Sequence, residues 1–310
     1  MTIIIIKMKK VIIAIHGLRN KPPKNLLENW AKASIKEGLK NSGKNIELPL
    51  LELVYWADIL YDKPLSPNEK DKNSPYFLDE VYTPENKKSV NGNFYVRLQL
   101  VKLLKHFIYK IFLKKNYKLR YPFLAKNFIH NNFRDLEVYF TEDCENNLSP
   151  DCELKRRINQ RLIDLLKKHH NDQIFLIAHS MGTIIAFDVL SFIAKETKIN
   201  TFVTMGSPLG APFVISKIAH SSKLVNQGHI KLQTPEAVYR KWYNFAAIKD
   251  NITLDNKLAD DFKPNSRGVR VVDTLIHNTY QMNGVFNPHK SFGYLRSPEL
   301  IDALIDFIES

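Results

Sequence analysis

The chain has 310 residues, 44% of them hydrophobic and 25% charged. These are proportions of an ordinary folded protein, and they exclude wholesale disorder, a collagen repeat and a disulfide scaffold. Lys and Arg number 45 against 32 Asp and Glu, a net charge of +13, and the excess is local. From Lys87 to Arg134 there are 12 Lys or Arg and no acidic residue; taking those 12 from 45 leaves 33 against 32 elsewhere. A basic window of that kind fits a binding face or contact with an anionic membrane better than a generally cationic protein.

No apolar run approaches the roughly 20 residues that a spanning helix needs, and the Ile-rich start, Met1 to Lys7, is too short for a secretion signal. Cys144 and Cys152 lie in polar sequence and read as free thiols of a reducing compartment. The expectation is a cytoplasmic protein with peripheral contact at a membrane surface.

In chain order, Val11 to Ile15 is a β-branched run that stops at His16-Gly17, the pattern of a buried strand. Leu26 to Leu39 has helical spacing, and Leu50 to Trp56 reads as a second strand. The proline-broken stretch from Asp62 to Pro84 has no period and predicts a long excursion from the main fold. Phe94 to Leu113 follows with an apolar face and a lysine face, a helix suited to a membrane interface.

Leu154 to Leu166 predicts a further amphipathic helix. Ile174 to Ala178 predicts a strand, Thr183 to Lys195 a helix and Thr201 to Met205 another strand. Tyr239 to Ala246 and Val269 to Val272 are strand candidates. Ser297-Pro298-Glu299, with serine at the cap and proline at the first helical position, starts a last helix to Ile308. Strands alternating with helices predict an α/β fold with a mostly parallel sheet covered on both faces.

The chemistry concentrates where Ala178-His179-Ser180-Met181-Gly182 joins a strand to a helix. A sharp turn there lifts a serine hydroxyl clear of the sheet, and its neighbours two positions away must be small because other backbone passes close by. A hydroxyl becomes a good nucleophile only when a base takes its proton and a carboxylate orients that base.

The base's usual place, well beyond the nucleophile, leaves His277 and His289. His277 sits in a largely apolar stretch and reads as structural or as a pocket wall. His289 sits in the turn-rich loop Asn287-Pro288-His289-Lys290-Ser291 and is preferred. For the acid, Asp250 follows the strand around Trp242 after a short turn, with Asp255 and Asp273 in reserve. The negative oxygen of a tetrahedral intermediate needs two backbone N–H donors. Met181, after the serine, and Leu18, in the glycine-containing loop after the first strand, are the candidates.

Together, Val11 to Gly17, Phe175 to Thr183, Met205-Gly206-Ser207-Pro208-Leu209, Trp242-Tyr243-Asn244 before Asp250, and His289 resemble the serine esterase and lipase branch of the α/β-hydrolase superfamily. The resemblance covers roughly 8–60 and 135–310. It implies a single α/β-hydrolase domain with residues 61–134 inserted as a basic helical cap. It also implies a Ser180–His289–Asp250 triad and an acyl-enzyme intermediate on lipid-like carboxylic esters. Two departures stand out: Ala178 replaces the usual first glycine of the elbow, and Asp250-Asn251-Ile252 replaces the common Asp-Pro-Val. No ligand spacing for a metal and no phosphate loop is present, so no cofactor or metal is expected. Thioester hydrolysis and acyl transfer would use the same residues. The competing readings are a membrane-associated binding protein without turnover and a nucleic-acid binder, and no nucleic-acid motif accompanies the charge.

Overall fold

The computed structural model describes residues 8–79, 81–85, 118–119, 134–140, 150–225, 232–248, 250, 257–282 and 285–310. The expected helix at 94–113 and nearly all of the basic window lie outside them.

Six strands form one wholly parallel sheet: β1 (Lys10–Ile15), β2 (Leu50–Val54), β3 (Gln173–His179), β4 (Ile199–Met205), β5 (Val238–Ala247) and β6 (Val271–Ile276), in the order β2-β1-β3-β4-β5-β6. Strands β1, β3 and β4 are buried on both faces, which is why they read as unbroken apolar runs rather than alternating ones. The edge strand β6 begins at Val271 and runs to Ile276, later and longer than expected. Its middle residues Asp273 and Thr274 are only half-buried, so no apolar run marks it.

One face of the sheet is covered by α1 (Lys24–Asn41), α7 (Ser291–Leu295) and α8 (Pro298–Glu309), whose Ile35, Leu39, Phe292, Leu304 and Phe307 pack on Phe175, Ile177 and Val203. The other is covered by α4 (Pro150–Lys168), α5 (Met181–Asp188) and α6 (Pro212–Val225), joined by the short α2 (Ala57–Leu60) and α3 (Arg134–Tyr139). Burial of these apolar faces, at about 25 cal/mol per Å², is what holds both layers to the sheet.

Beyond Asp188 the expected helix continues as a π-helical turn, Val189–Ile193, in which the Ala194 N–H reaches back to the Val189 carbonyl at 2.7 Å. The serine cap of α8 is formed as expected, with Ser297 Oγ accepting from the Leu300 N–H. At α1, a Cβ on Gly38 would lie 2.7 Å from Ile301, so the missing side chain lets α1 and α8 approach. A two-strand hairpin, β7 (Gln281–Met282) with β8 (Val285–Phe286), precedes α7.

From β1 the chain leaves to one side for β2, then crosses back to β3 on the other. The carboxyl ends of β1 and β3 therefore lie side by side at a topological switch point, with Ile15 paired to Ala178. Crevices at such points are where open α/β sheets bind ligands. Residues 61–85 do not leave the body entirely: Tyr280 Oη donates to the Val81 carbonyl at 2.7 Å, and Glu37 on α1 accepts from the Glu85 N–H.

Candidate active site

Ser180 has φ 52° and ψ −126°, a conformation that side chains other than glycine's rarely adopt. The turn stands because its surroundings fix it. The Ser180 N–H donates to the Met205 carbonyl at 3.0 Å, and Thr183 Oγ1 donates to the Ser180 carbonyl at 2.7 Å. Thr183 Oγ1 is also 2.9 Å from Ser207 Oγ, tying the turn to the loop after β4.

Space around the turn explains the small residues. A Cβ on Gly182 would sit 2.7 Å from the His16 carbonyl, and one on Gly17 would sit 2.8 Å from Ser180 Cβ. Gly206, at φ +57°, lies below the other side, where a Cβ would come within 3.1 Å of the His289 ring and 3.3 Å of Asp250 Oδ2.

The structure brings Ser180, His289 and Asp250 together. His289 Nε2 is 3.1 Å from Ser180 Oγ, and Nδ1 is 2.7 Å from Asp250 Oδ2. A carboxylate only accepts, so the ring proton sits on Nδ1 and leaves Nε2 to accept from the serine hydroxyl. The Asp250 side chain is fully buried, while that of His289 is 20% exposed.

The other candidates lie elsewhere. His277 follows β6 and is exposed. Asp273 accepts from Asn244 Nδ2 and from the Leu258 and Ala259 N–H groups, which makes it a clamp on the loop before β6. Asp255 lies outside the described residues. Met181 is the first residue of α5, where the helix dipole favours negative charge, and Leu18 lies in the loop facing Ser180 across Gly17.

Several groups that no sequence pattern singled out build the site's frame. Tyr294 Oη donates to Asp250 Oδ2 at 2.8 Å and accepts from the Ala247 N–H at 2.8 Å. Burial and the Asp250 charge push that hydroxyl well above its ordinary value, so it remains a donor. Three consecutive carbonyls of the His289 loop are each held by a side chain. Asn278 Nδ2 donates to Pro288 at 2.8 Å and to Lys290 at 2.9 Å. His179 Nε2 donates to the carbonyl of His289 itself, also at 2.8 Å. Burial, then the neighbouring His289, holds the His179 imidazole well below its usual range, hence neutral.

The loop after β1 is equally determined. The Trp56 N–H donates to His16 Nε2 at 3.0 Å, which puts the His16 proton on Nδ1, 2.8 Å from the Gly17 carbonyl. Burial, with Lys21 nearby, pushes His16 down to about 3. Among the described residues there is no group of three His, Cys, Asp or Glu placed to hold a metal ion, and no helix is long and apolar enough to cross a membrane.

No curated protein matches the chain. The model of the lecithin:cholesterol acyltransferase family matches residues 155–246, less than a third of the length. That match begins in α4 and ends in β5, so it takes in β3, the Ser180 turn and β4. It falls on the half of the sheet that carries the serine, and together with the single six-stranded parallel sheet and its flanking helices it gives the chain an α/β-hydrolase fold.

Proposed function

We propose that the protein is a serine hydrolase that cleaves carboxylic esters of lipid-like acyl groups through an acyl-enzyme intermediate. The observation that carries this reading is the unbroken hydrogen-bonded chain from Ser180 through His289 to Asp250, at 3.1 and 2.7 Å. In the proposed cycle Ser180 Oγ bonds to the acyl carbon as its proton passes to His289 Nε2. Asp250 holds the imidazole in that tautomer and stabilises its cationic form. The N–H groups of Leu18 and Met181 receive the oxyanion. As the tetrahedral adduct collapses, His289 returns the proton to the departing alcohol. Water then attacks the acyl-enzyme as His289 takes one of its protons, and His289 passes that proton to Ser180 Oγ as the acyl–oxygen bond breaks and the acid leaves.

A lipid-like acyl group is supported by the family match, and by a loop after His16 with a single glycine, the form that accompanies longer acyl chains among such enzymes. The same match favours a second outcome for the acyl-enzyme, transfer to an alcohol in place of water. We further propose one domain over residues 1–310, with 61–134 as its cap, working in the cytoplasm against an anionic membrane surface. The charge of the 87–134 window supports the last point.

A panel of p-nitrophenyl esters from short to long chain, with and without an alcohol acceptor, tests the reading. Wild type should favour the longer chains, and Ser180→Ala should lose about 10³-fold or more in kcat while its melting curve stays that of a folded protein. Wild-type turnover in Ser180→Ala contradicts the proposal, and an acyl ester of the added alcohol would establish transfer.

A further inference from the structure

The loop from His16 to Lys21 is held peptide by peptide, and one of its holders comes from far along the chain. A trans peptide points its C=O and the following N–H in opposite directions. Lys21 Nζ donates to the Leu18 carbonyl on one side of the Leu18–Arg19 peptide. On the other side, the Arg19 N–H donates to Asp135 Oδ2 at 2.7 Å. That peptide is thus gripped at both ends.

The grip has a visible consequence. Arg19 sits at φ 70°, and among the described residues the only other non-glycine at positive φ is Ser180. An L-residue holds that conformation only where its surroundings over-determine it. Asp135 is 7% exposed, and its second oxygen is occupied by Tyr61 Oη at 2.8 Å. Tyr61 opens the inserted segment and Asp135 is the first residue after it. One buried carboxylate therefore joins both ends of the insertion to the loop that carries Leu18.

We propose that Asp135 is a positioning residue for oxyanion binding, fixing the Leu18–Arg19 peptide and with it the direction of the adjacent Leu18 N–H. The inference rests on the serine-hydrolase reading above. Without the carboxylate, the Leu18–Arg19 peptide can rotate out of its strained conformation and turn the neighbouring N–H away from Ser180. The substrate's ground state, which does not yet carry the negative oxygen, loses little.

The test compares Asp135→Ala, Asp135→Asn and wild type. Ester hydrolysis supplies kcat and KM. Affinity for an alkyl boronic acid reports the tetrahedral state, because the Ser180 oxygen adds to boron as its proton passes to His289. Asp135→Ala should lose about 10- to 100-fold in kcat and a similar factor in boronate affinity, with KM within about twofold, since one oxyanion donor is worth about 10²–10³. Asp135→Asn keeps an acceptor for the Arg19 N–H and should recover most of both. Folded Asp135→Ala with unchanged boronate affinity would overturn the proposal, as would a loss that Asn does not restore. Failure of wild type to react with a fluorophosphonate at Ser180 would instead bring down the hydrolase reading, and the proposal with it.

Discussion

His179 shows how much a single side chain next to Ser180 can do for the arrangement around it. Its ring packs 4.8 Å from the His289 ring, and its Nε2 proton holds the His289 carbonyl, so it fixes the loop from which His289 projects. It stays neutral while doing so, because burial and then the neighbouring His289 hold its imidazole well below the usual range. In the unfolded chain the same imidazole takes up a proton near pH 6.5. Below that pH the unfolded state binds the extra proton and the native state does not, so the native state's advantage is complete above about 6.5 and falls as the pH drops through it. His16, pushed down to about 3, adds the same dependence. Each contributes at most about 1.4 kcal/mol per pH unit. Urea unfolding of wild type and His179→Gln from pH 7 to 5 checks this. The variant, whose amide can still donate to the His289 carbonyl, should show a shallower loss of stability; parallel curves would contradict a neutral His179.

At the scale of elements, what could be read from the residues followed burial. Strands β1 and β3 lie inside the sheet, and their β-branched runs announce both position and direction. The His-Gly and Ser-centred turns at their ends are legible because tight backbone approach demands small residues, as Gly17 and Gly182 demonstrate. Edge strand β6 was shifted because one of its faces meets solvent and the other carries Asp273, whose partners are three neighbours on other segments. Helix α6 has no counterpart among the elements that the sequence predicts. Ser180, His289 and Asp250 could each be selected by residue type and place in the alternation of strands and loops. Tyr294, Asn278 and Asp135 could not, since an aromatic before a helix, an asparagine after a strand and an aspartate at a helix start look like ordinary core, turn and cap residues. Their importance exists only through partners 44, 10 and 116 residues away.

For the molecule as a unit, the excess charge and the Ser180 site are separated along the chain. Outside residues 87–134 the chain is close to electrically balanced, 33 basic residues against 32 acidic, while that window carries the net excess. If that segment docks on anionic lipid, co-sedimentation with vesicles containing anionic lipid should be strong at low salt and fall as salt screens the lysines. Lys102, Lys105 and Lys110 changed to Glu should weaken it. Indifference of the wild type to such vesicles at low salt would remove the membrane from the account. Because Asp135 and Tyr61 tie the two ends of the proposed insertion to the loop after β1, the proposed cap has a short physical route to Ser180.

If Ser180 is an activated nucleophile, a fluorophosphonate will find it. Phosphorus should bond to Ser180 Oγ with loss of fluoride, the proton passing to His289. One adduct per chain is expected by intact mass, mapped to the peptide containing Ser180, and none in Ser180→Ala or after prior reaction with a long-chain ester analogue. Absence of an adduct on the folded wild type, or one mapped to any other residue, would contradict it.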